Sequence, residues 1–139
     1  MSKLGPIIIV EDDPDDQEIL KEIFQNLQIK NQVLLFENGV PALEYLIATS
    51  EQMFLILCDV NMPGMNGLEL RRKVDKNREL KLKSIPFVFL TTAASGKIVK
   101  EAYEMSVQGF FQKPSSFKEF ESLIKSIYDY WQQCRHPNN

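Results

Sequence analysis

Phe54-Leu55-Ile56-Leu57-Cys58-Asp59-Val60-Asn61-Met62-Pro63-Gly64-Met65-Asn66-Gly67 is the stretch whose reading decides the fold of this 139-residue chain. Its first five residues are apolar and run straight into one aspartate, after which Pro and Gly mark a turn. A short continuous apolar run bounded by turn signals reads as a fully buried strand. Asp59 therefore ends a central strand, at the edge where open α/β sheets bind ligands. A carboxylate there is costly unless other groups converge on it.

Working outward, Pro6 to Val10 is a second apolar run and ends in Glu11-Asp12-Asp13-Pro14-Asp15-Asp16. Asp13 can cap a helix with Pro14 at its first position. Ile19, Leu20, Ile23, Phe24 and Leu27 give that helix an apolar stripe. Val33 to Phe36 is a shorter strand near an edge, and Ala42, Leu43, Leu46 and Ile47 form the buried face of the next helix. Asn66-Gly67-Leu68-Glu69 and Ser116-Phe117-Lys118-Glu119 each read as a capping box. Asp75 to Ser84 reads as a charged, solvated loop. Ile85 to Thr91 is the strongest strand, followed by a small-residue loop from Thr92 to Gly96 and a helix with Ile98, Val99, Ala102 and Tyr103 inward. Gly109 to Gln112 is a short last strand before Lys113-Pro114. Phe117, Phe120, Ile124, Ile127 and Trp131 mark the inward face of a terminal helix, and the tail from His136 should fray. Strand and helix alternate throughout, which predicts an α/β fold with a parallel sheet covered on both faces.

Composition narrows the function. Hydrophobic residues make up 44%, which argues against disorder. The net charge of -3 gives no broad electrostatic case for nucleic acid. No apolar run approaches membrane-spanning length, and the N-terminus lacks the apolar core of a signal peptide. Cys58 and Cys134 show neither metal spacing nor a disulfide framework, so a cytoplasmic setting is expected.

Glu11 and Asp12, Asp59, Thr91 and Lys113 each end an apolar strand, so parallel strands bring them to one sheet edge. Three neighbouring carboxylates repel and call for a cation, and an all-oxygen donor set favours Mg2+. Lys113 adds a compact positive charge and Thr91 a hydroxyl. The chemistry this implies is attack by the Asp59 carboxylate on phosphorus, giving an aspartyl phosphate. Each group also has a plainer reading. The acids from Glu11 to Asp16 suit a solvated helix N-terminus, Thr91 is a β-branched strand residue, Lys113 is a surface lysine before a turn, Cys58 is a small core side chain and His136 is an exposed tail residue. Their shared position at strand ends tips the balance toward a site.

These residues carry a resemblance. Val10-Glu11-Asp12-Asp13, Asp59 with Met62-Pro63-Gly64 and Asn66-Gly67, Leu90-Thr91-Thr92-Ala93 and Lys113-Pro114 together resemble the receiver domain of two-component response regulators, over nearly the whole chain. The resemblance implies a flavodoxin-like, doubly wound, five-stranded parallel sheet of order 2-1-3-4-5. It implies one receiver domain over residues 1–139, with a core from about 6 to 132 and no output domain. It casts Asp59 as phosphoacceptor, Asp12 as a direct Mg2+ ligand, Glu11 as a ligand through water and Asn61 as a ligand by its backbone carbonyl. Thr91 becomes the switch hydroxyl, Lys113 the phosphate-binding lysine and Phe110 the switch aromatic, where Tyr is commoner. A cis Lys113–Pro114 peptide is also implied. The expected partner is a sensor histidine kinase or phosphotransfer protein, with no nucleic acid or membrane. The protein is then a signalling switch rather than an enzyme. The Tyr103-Glu104-Met105 and Tyr130-Trp131 neighbourhoods are similar to stand-alone receivers that work with bacterial phytochrome kinases.

The expected output surface is the helix from Lys97, the strand Gly109 to Gln112 and the helix from Phe117, which would be the fourth helix, fifth strand and fifth helix. It would serve homodimerisation or kinase docking. Three other readings compete. A phosphatase of the haloacid dehalogenase type needs a second Asp two residues after its nucleophile, and Asn61 stands there. A nucleotide-binding module lacks both G-x-G-x-x-G and the P-loop pattern. A degenerate, docking-only receiver would lack part of the acid pair, Asp or Lys, and none is missing.

Overall fold

The computed structural model describes residues 2–92 and 94–137. A short 3-10 turn (Ser2–Leu4) leads into β1 (Ile7–Val10), α1 (Pro14–Asn26), β2 (Val33–Phe36), α2 (Gly39–Ala48) and β3 (Leu55–Cys58). Then come α3 (Gly67–Lys76), α4 (Arg78–Lys83), β4 (Phe87–Thr91), α5 (Gly96–Glu104), β5 (Gly109–Gln112) and α6 (Phe117–Gln133). The sheet is wholly parallel in the order β2-β1-β3-β4-β5, as expected.

Both faces of the sheet are covered because its central strands are apolar at every position but Thr91, the last of β4. Ile8, Val10, Ile56, Cys58, Phe87 and Phe89 point into one core, packed with Leu46, Leu70, Val74, Leu80 and Ala102. Ile7, Ile9, Leu55, Leu57, Val88 and Leu90 point into the other, against Leu20, Ile23 and Phe24 of α1 and Phe120, Ile124 and Ile127 of α6. Each such aliphatic side chain contributes about 1.5–3 kcal/mol on burial, so two cores brace the sheet from opposite sides. The caps sit where the polar residues predict. Asp13 accepts from Asp15 N at 3.0 Å, Asn66 from Glu69 N at 2.9 Å and Ser116 from Glu119 N at 3.1 Å.

The structure corrects several expectations. The segment from Asp75 to Ser84 is not a loop: α3 runs to Lys76, and Asn77 caps the extra helix α4 by accepting from Leu80 N at 3.1 Å. Burial of Leu80 holds α4 down, and one buried leucine among charges carries no periodic signal. The surface expected to carry the output therefore corresponds to α5, β5 and α6 in this numbering. His136 is not a fraying tail residue. It is 2% exposed, stacks on Phe54 with ring centroids 5.6 Å apart, and its Nε2 lies 2.8 Å from Phe54 O. Tyr103, Ile47 and Phe117, read as inward, are exposed, because each lies at the rim of its helix's apolar stripe. The expected fraying of Asn138 and Asn139, and the Ala93 part of the small-residue loop, lie outside the described residues.

Candidate metal and phosphoryl site

The carboxyl ends of β1, β3, β4 and β5 converge as the topology requires. Asp59 N donates to Val10 O and Lys113 N to Thr91 O, both at 2.9 Å, so the backbone just past each strand is still held in the sheet. The turn after Asp59 depends on two glycines. Gly64 adopts φ +73°, a left-handed conformation that side chains disfavour. A Cβ on Gly67 would collide with the carbonyl oxygen of Asp59, so α3 can start hard against the site only with glycine there.

Glu11, Asp12 and Asp59 each offer a carboxylate oxygen within 4.8 Å of the others. Their commitments differ. Glu11 is 2% exposed: one oxygen takes a very short bond from Lys113 Nζ, and the other accepts from Asp13 N at 3.2 Å. Asp59 is 8% exposed, with one oxygen accepting from Asn61 N at 3.3 Å and the other 3.2 Å from Lys113 Nζ. Asp12 is half-buried, and no hydrogen bond among the described residues engages its carboxylate. An oxygen donor left uncommitted beside two committed ones fits a hard, oxygen-seeking divalent cation that keeps much of its water.

Lys113 is 9% exposed, and its Nζ touches three carboxylates: Glu11, Asp59 and, at 2.8 Å, Asp16. Burial alone would favour the neutral amine, but bonds to Asp16 and Glu11 and the charge of Asp59 outweigh it and raise the pKa. Burial pushes Glu11 up to about 7 against the pull of Lys113. The Cys58 thiol, wholly buried beside Asp59 and Glu11, is raised well above its ordinary value and donates to Asp59 O at 3.1 Å. It packs as a small side chain of the core.

Thr91 is fully buried at the end of β4, the strand beside β3. Phe110 lies on the neighbouring β5 in register with Phe89, its ring half-buried and 5.7 Å from that of Phe89. The structure thus assembles Glu11, Asp12, Asp59 and Lys113 directly, with Thr91 and Phe110 on the two strands beyond. Asn61 follows within the same turn. The Lys113–Pro114 peptide is trans, contrary to expectation. Trans is the favoured isomer of an X–Pro bond by about 0.5–1 kcal/mol, and Lys113 reaches all three acids from it. Asp16 is the site residue that sequence reading missed. It is one of several acids at the start of α1, and its contact with Lys113 is made across 97 residues of sequence, so no local pattern marks it.

Comparison with known proteins agrees with this geometry. The response regulator receiver domain family matches residues 7–125. Response regulator Rcp1 of Synechocystis is 28% identical over 130 residues, covering 90% of this chain and 87% of Rcp1. Two-component response regulator ARR17 of Arabidopsis thaliana is 30% identical over 127 residues, covering 84% of this chain and 80% of that protein. Among solved structures, the phosphorylated cyanobacterial phytochrome response regulator RcpA superposes with a TM-score of 0.86 at 25% identity, covering 95% of this chain and 97% of that one. The Mn2+-bound form of Rcp1 gives 0.84 at 27% identity, covering 95% and 98%. An alternating α/β chain, a 2-1-3-4-5 sheet, an acid cluster at its carboxyl edge and a family match over most of its length lead to one conclusion: the chain belongs to the response regulator receiver domains of two-component signalling systems.

Proposed function

We propose that this receiver accepts a phosphoryl group on Asp59 from a phosphohistidine of a sensor histidine kinase or phosphotransfer protein. The observation that carries the reading is the convergence of Glu11, Asp12 and Asp59 within 4.8 Å, with a buried Lys113 bonded to the first and last. Asp12 and Asp59 would hold Mg2+ directly, Glu11 through water and Asn61 by its carbonyl. Bound there, Mg2+ would neutralise charge on the incoming phosphoryl oxygens. An Asp59 carboxylate oxygen attacks phosphorus and forms a new O–P bond. The P–N bond to the donor imidazole breaks, and its electron pair goes to the ring nitrogen. Lys113, kept charged by Asp16, turns an N–H toward the phosphoryl group. Thr91 supplies a hydroxyl to another phosphoryl oxygen. These roles are positioning and charge neutralisation, not turnover of a substrate.

The output surface we propose is α5, β5 and α6. Movement of Thr91 would displace the loop leading into α5, and Phe110 on β5 would respond by changing rotamer, as a two-state shift. Tyr103 on α5 and Tyr130 on α6 stand 52% and 62% exposed, and Tyr130 edges a groove of about 230 Å³. Exposed aromatics are frequent interface anchors, which supports homodimerisation or kinase docking here. Phe111, Tyr128 and Trp131 are half-buried against the core and belong to packing instead. Likeness to RcpA supports a phytochrome-type kinase as partner.

Incubation with Mg2+ and acetyl phosphate tests the reading. A single, hydroxylamine-labile phosphoryl group is expected. Multiple turnovers of simple phosphate esters would favour a phosphatase, and no labelling would favour a docking-only module.

A further inference from the structure

Among the described residues Arg71 is the second buried cation, 8% exposed, and it lies at the edge of the sheet opposite Asp59. Its surroundings invert those of Lys113. No carboxylate forms an ion pair with it; Asp75 is near enough to act on its charge but no closer. One face of the guanidinium lies over Phe87, with Cζ 5.4 Å from the ring centroid. One edge is used: Nε donates to Met105 O at 3.1 Å and Nη2 to Ser106 O at 3.3 Å. Those bonds leave Nη1 and the outer hydrogen of Nη2, the other edge of the planar fork, without an acceptor among the described residues. No polar side-chain atom closed off from solvent is unpartnered among the described residues. The open edge therefore reaches solvent, and the space Arg71 lines is a cavity of about 350 Å³.

The lining of that cavity is part apolar and part polar. Trp131, Ile85 and Pro86 give it apolar walls, while Ser84, Ser106 and Lys81 add polar groups. Its volume lies at the low end of the range for small-molecule pockets. Lys81 offsets Asp75 on the lining, so the guanidinium leaves the cavity with one net positive charge. A buried guanidinium with an open two-donor edge matches a carboxylate bidentately, and a ligand carboxylate would supply a counter-charge that no ion pair among the described residues gives.

We propose that this cavity binds a small organic monocarboxylate, its carboxylate on the open edge of Arg71 and its apolar body against Trp131. The other edge of Arg71 clamps the carbonyls of Met105 and Ser106, where α5 ends and the chain turns toward β5. Occupancy therefore pulls on the end of an element that belongs to the proposed output surface. The site itself does not depend on Asp59.

The test is titration of the 15N-labelled protein at constant ionic strength with sodium benzoate and sodium acetate, with benzamide and sodium chloride as controls. Benzoate should give saturable shifts at the Arg71 Nε–H and at the amides of Ser84, Ser106 and Gln108, and acetate weaker ones. Benzamide and chloride should give none. Arg71→Lys keeps the charge but loses the fork and should weaken benzoate by about tenfold. If that variant does not fold, Lys81→Glu on the rim should weaken benzoate several-fold. Asp59→Asn should bind benzoate unchanged. Non-saturating shifts, equal binding of benzamide, or an unaffected Lys81→Glu would overturn the proposal. So would tighter binding of an acetylated peptide through its free C-terminal carboxylate.

Discussion

The sheet has a buried cation at each end, and the two are held in opposite ways. At the carboxyl end Lys113 faces three carboxylates, more acid than one ammonium can neutralise. At the amino end Arg71 faces two backbone carbonyls and an aromatic ring, with no ion pair among the described residues. The first arrangement leaves net negative charge that a divalent cation can complete. The second leaves positive charge and an unused donor edge. Sites built for a ligand are those in which the protein stops short of satisfying its own buried charge.

Removing each cation in turn breaks that comparison. Lys113→Ala strands Glu11 and Asp59 with no positive partner, and should cost about 3–5 kcal/mol in metal-free denaturant melts at neutral pH. Millimolar Mg2+ should recover part of it, since a ligand that binds only the folded state stabilises by mass action. Arg71→Ala should cost less, about 1–3 kcal/mol, because it removes two charged hydrogen bonds but strands no opposite charge. Mg2+ should recover none of that loss. A larger loss in Arg71→Ala than in Lys113→Ala would mean that Arg71 is the better-compensated ion and would reverse the account.

Smaller changes sharpen the contrast within the acidic end. Asp16→Asn removes one of the three partners of Lys113, at a position whose side chain is 22% exposed, and should cost about 1 kcal/mol or less. Asp12→Ala removes a carboxylate that holds nothing. Its metal-free stability should stay within about 0.5 kcal/mol of wild type, as for most surface changes. Its Mg2+-dependent shift in melting midpoint should nevertheless vanish. Retention of that shift would exclude Asp12 as a ligand.

How much of this was legible in the sequence differs between the two ends. The acidic end lies where apolar runs stop, so Glu11, Asp59, Thr91 and Lys113 could be placed together from strand ends alone. Asp16 could not, because it is one acid among several in a helix's first turn, and only the fold shows which of them meets Lys113. The amino end was illegible for related reasons. Arg71 sits among Arg72, Lys73 and Lys76, and nothing in the pattern marks it as the buried one. Helix α4 is held by buried Leu80 and by Lys83, which donates to Leu46 O and Thr49 O, and His136 packs under the sheet through a tertiary contact with Phe54, far from it in sequence. The Lys113–Pro114 isomer was carried over from family resemblance and turned out trans. Periodicity reports the faces of elements; it does not report which polar residue a neighbouring element covers.

The central claim is that the acidic end exists to take a phosphoryl group on Asp59. The most direct measurement is intact mass, with peptide mapping, of wild type and Asp59→Asn after incubation with acetyl phosphate and Mg2+. Asp59 is bonded to Lys113 at 3.2 Å, but Lys113 keeps Glu11 and Asp16 without it, so the variant should fold as wild type does. Wild type should gain one labile phosphoryl group, mapped to the peptide containing Asp59 and lost on chelation of Mg2+ before the donor is added. Asp59→Asn should gain none. An undiminished labile phosphoryl group on folded Asp59→Asn would contradict the account.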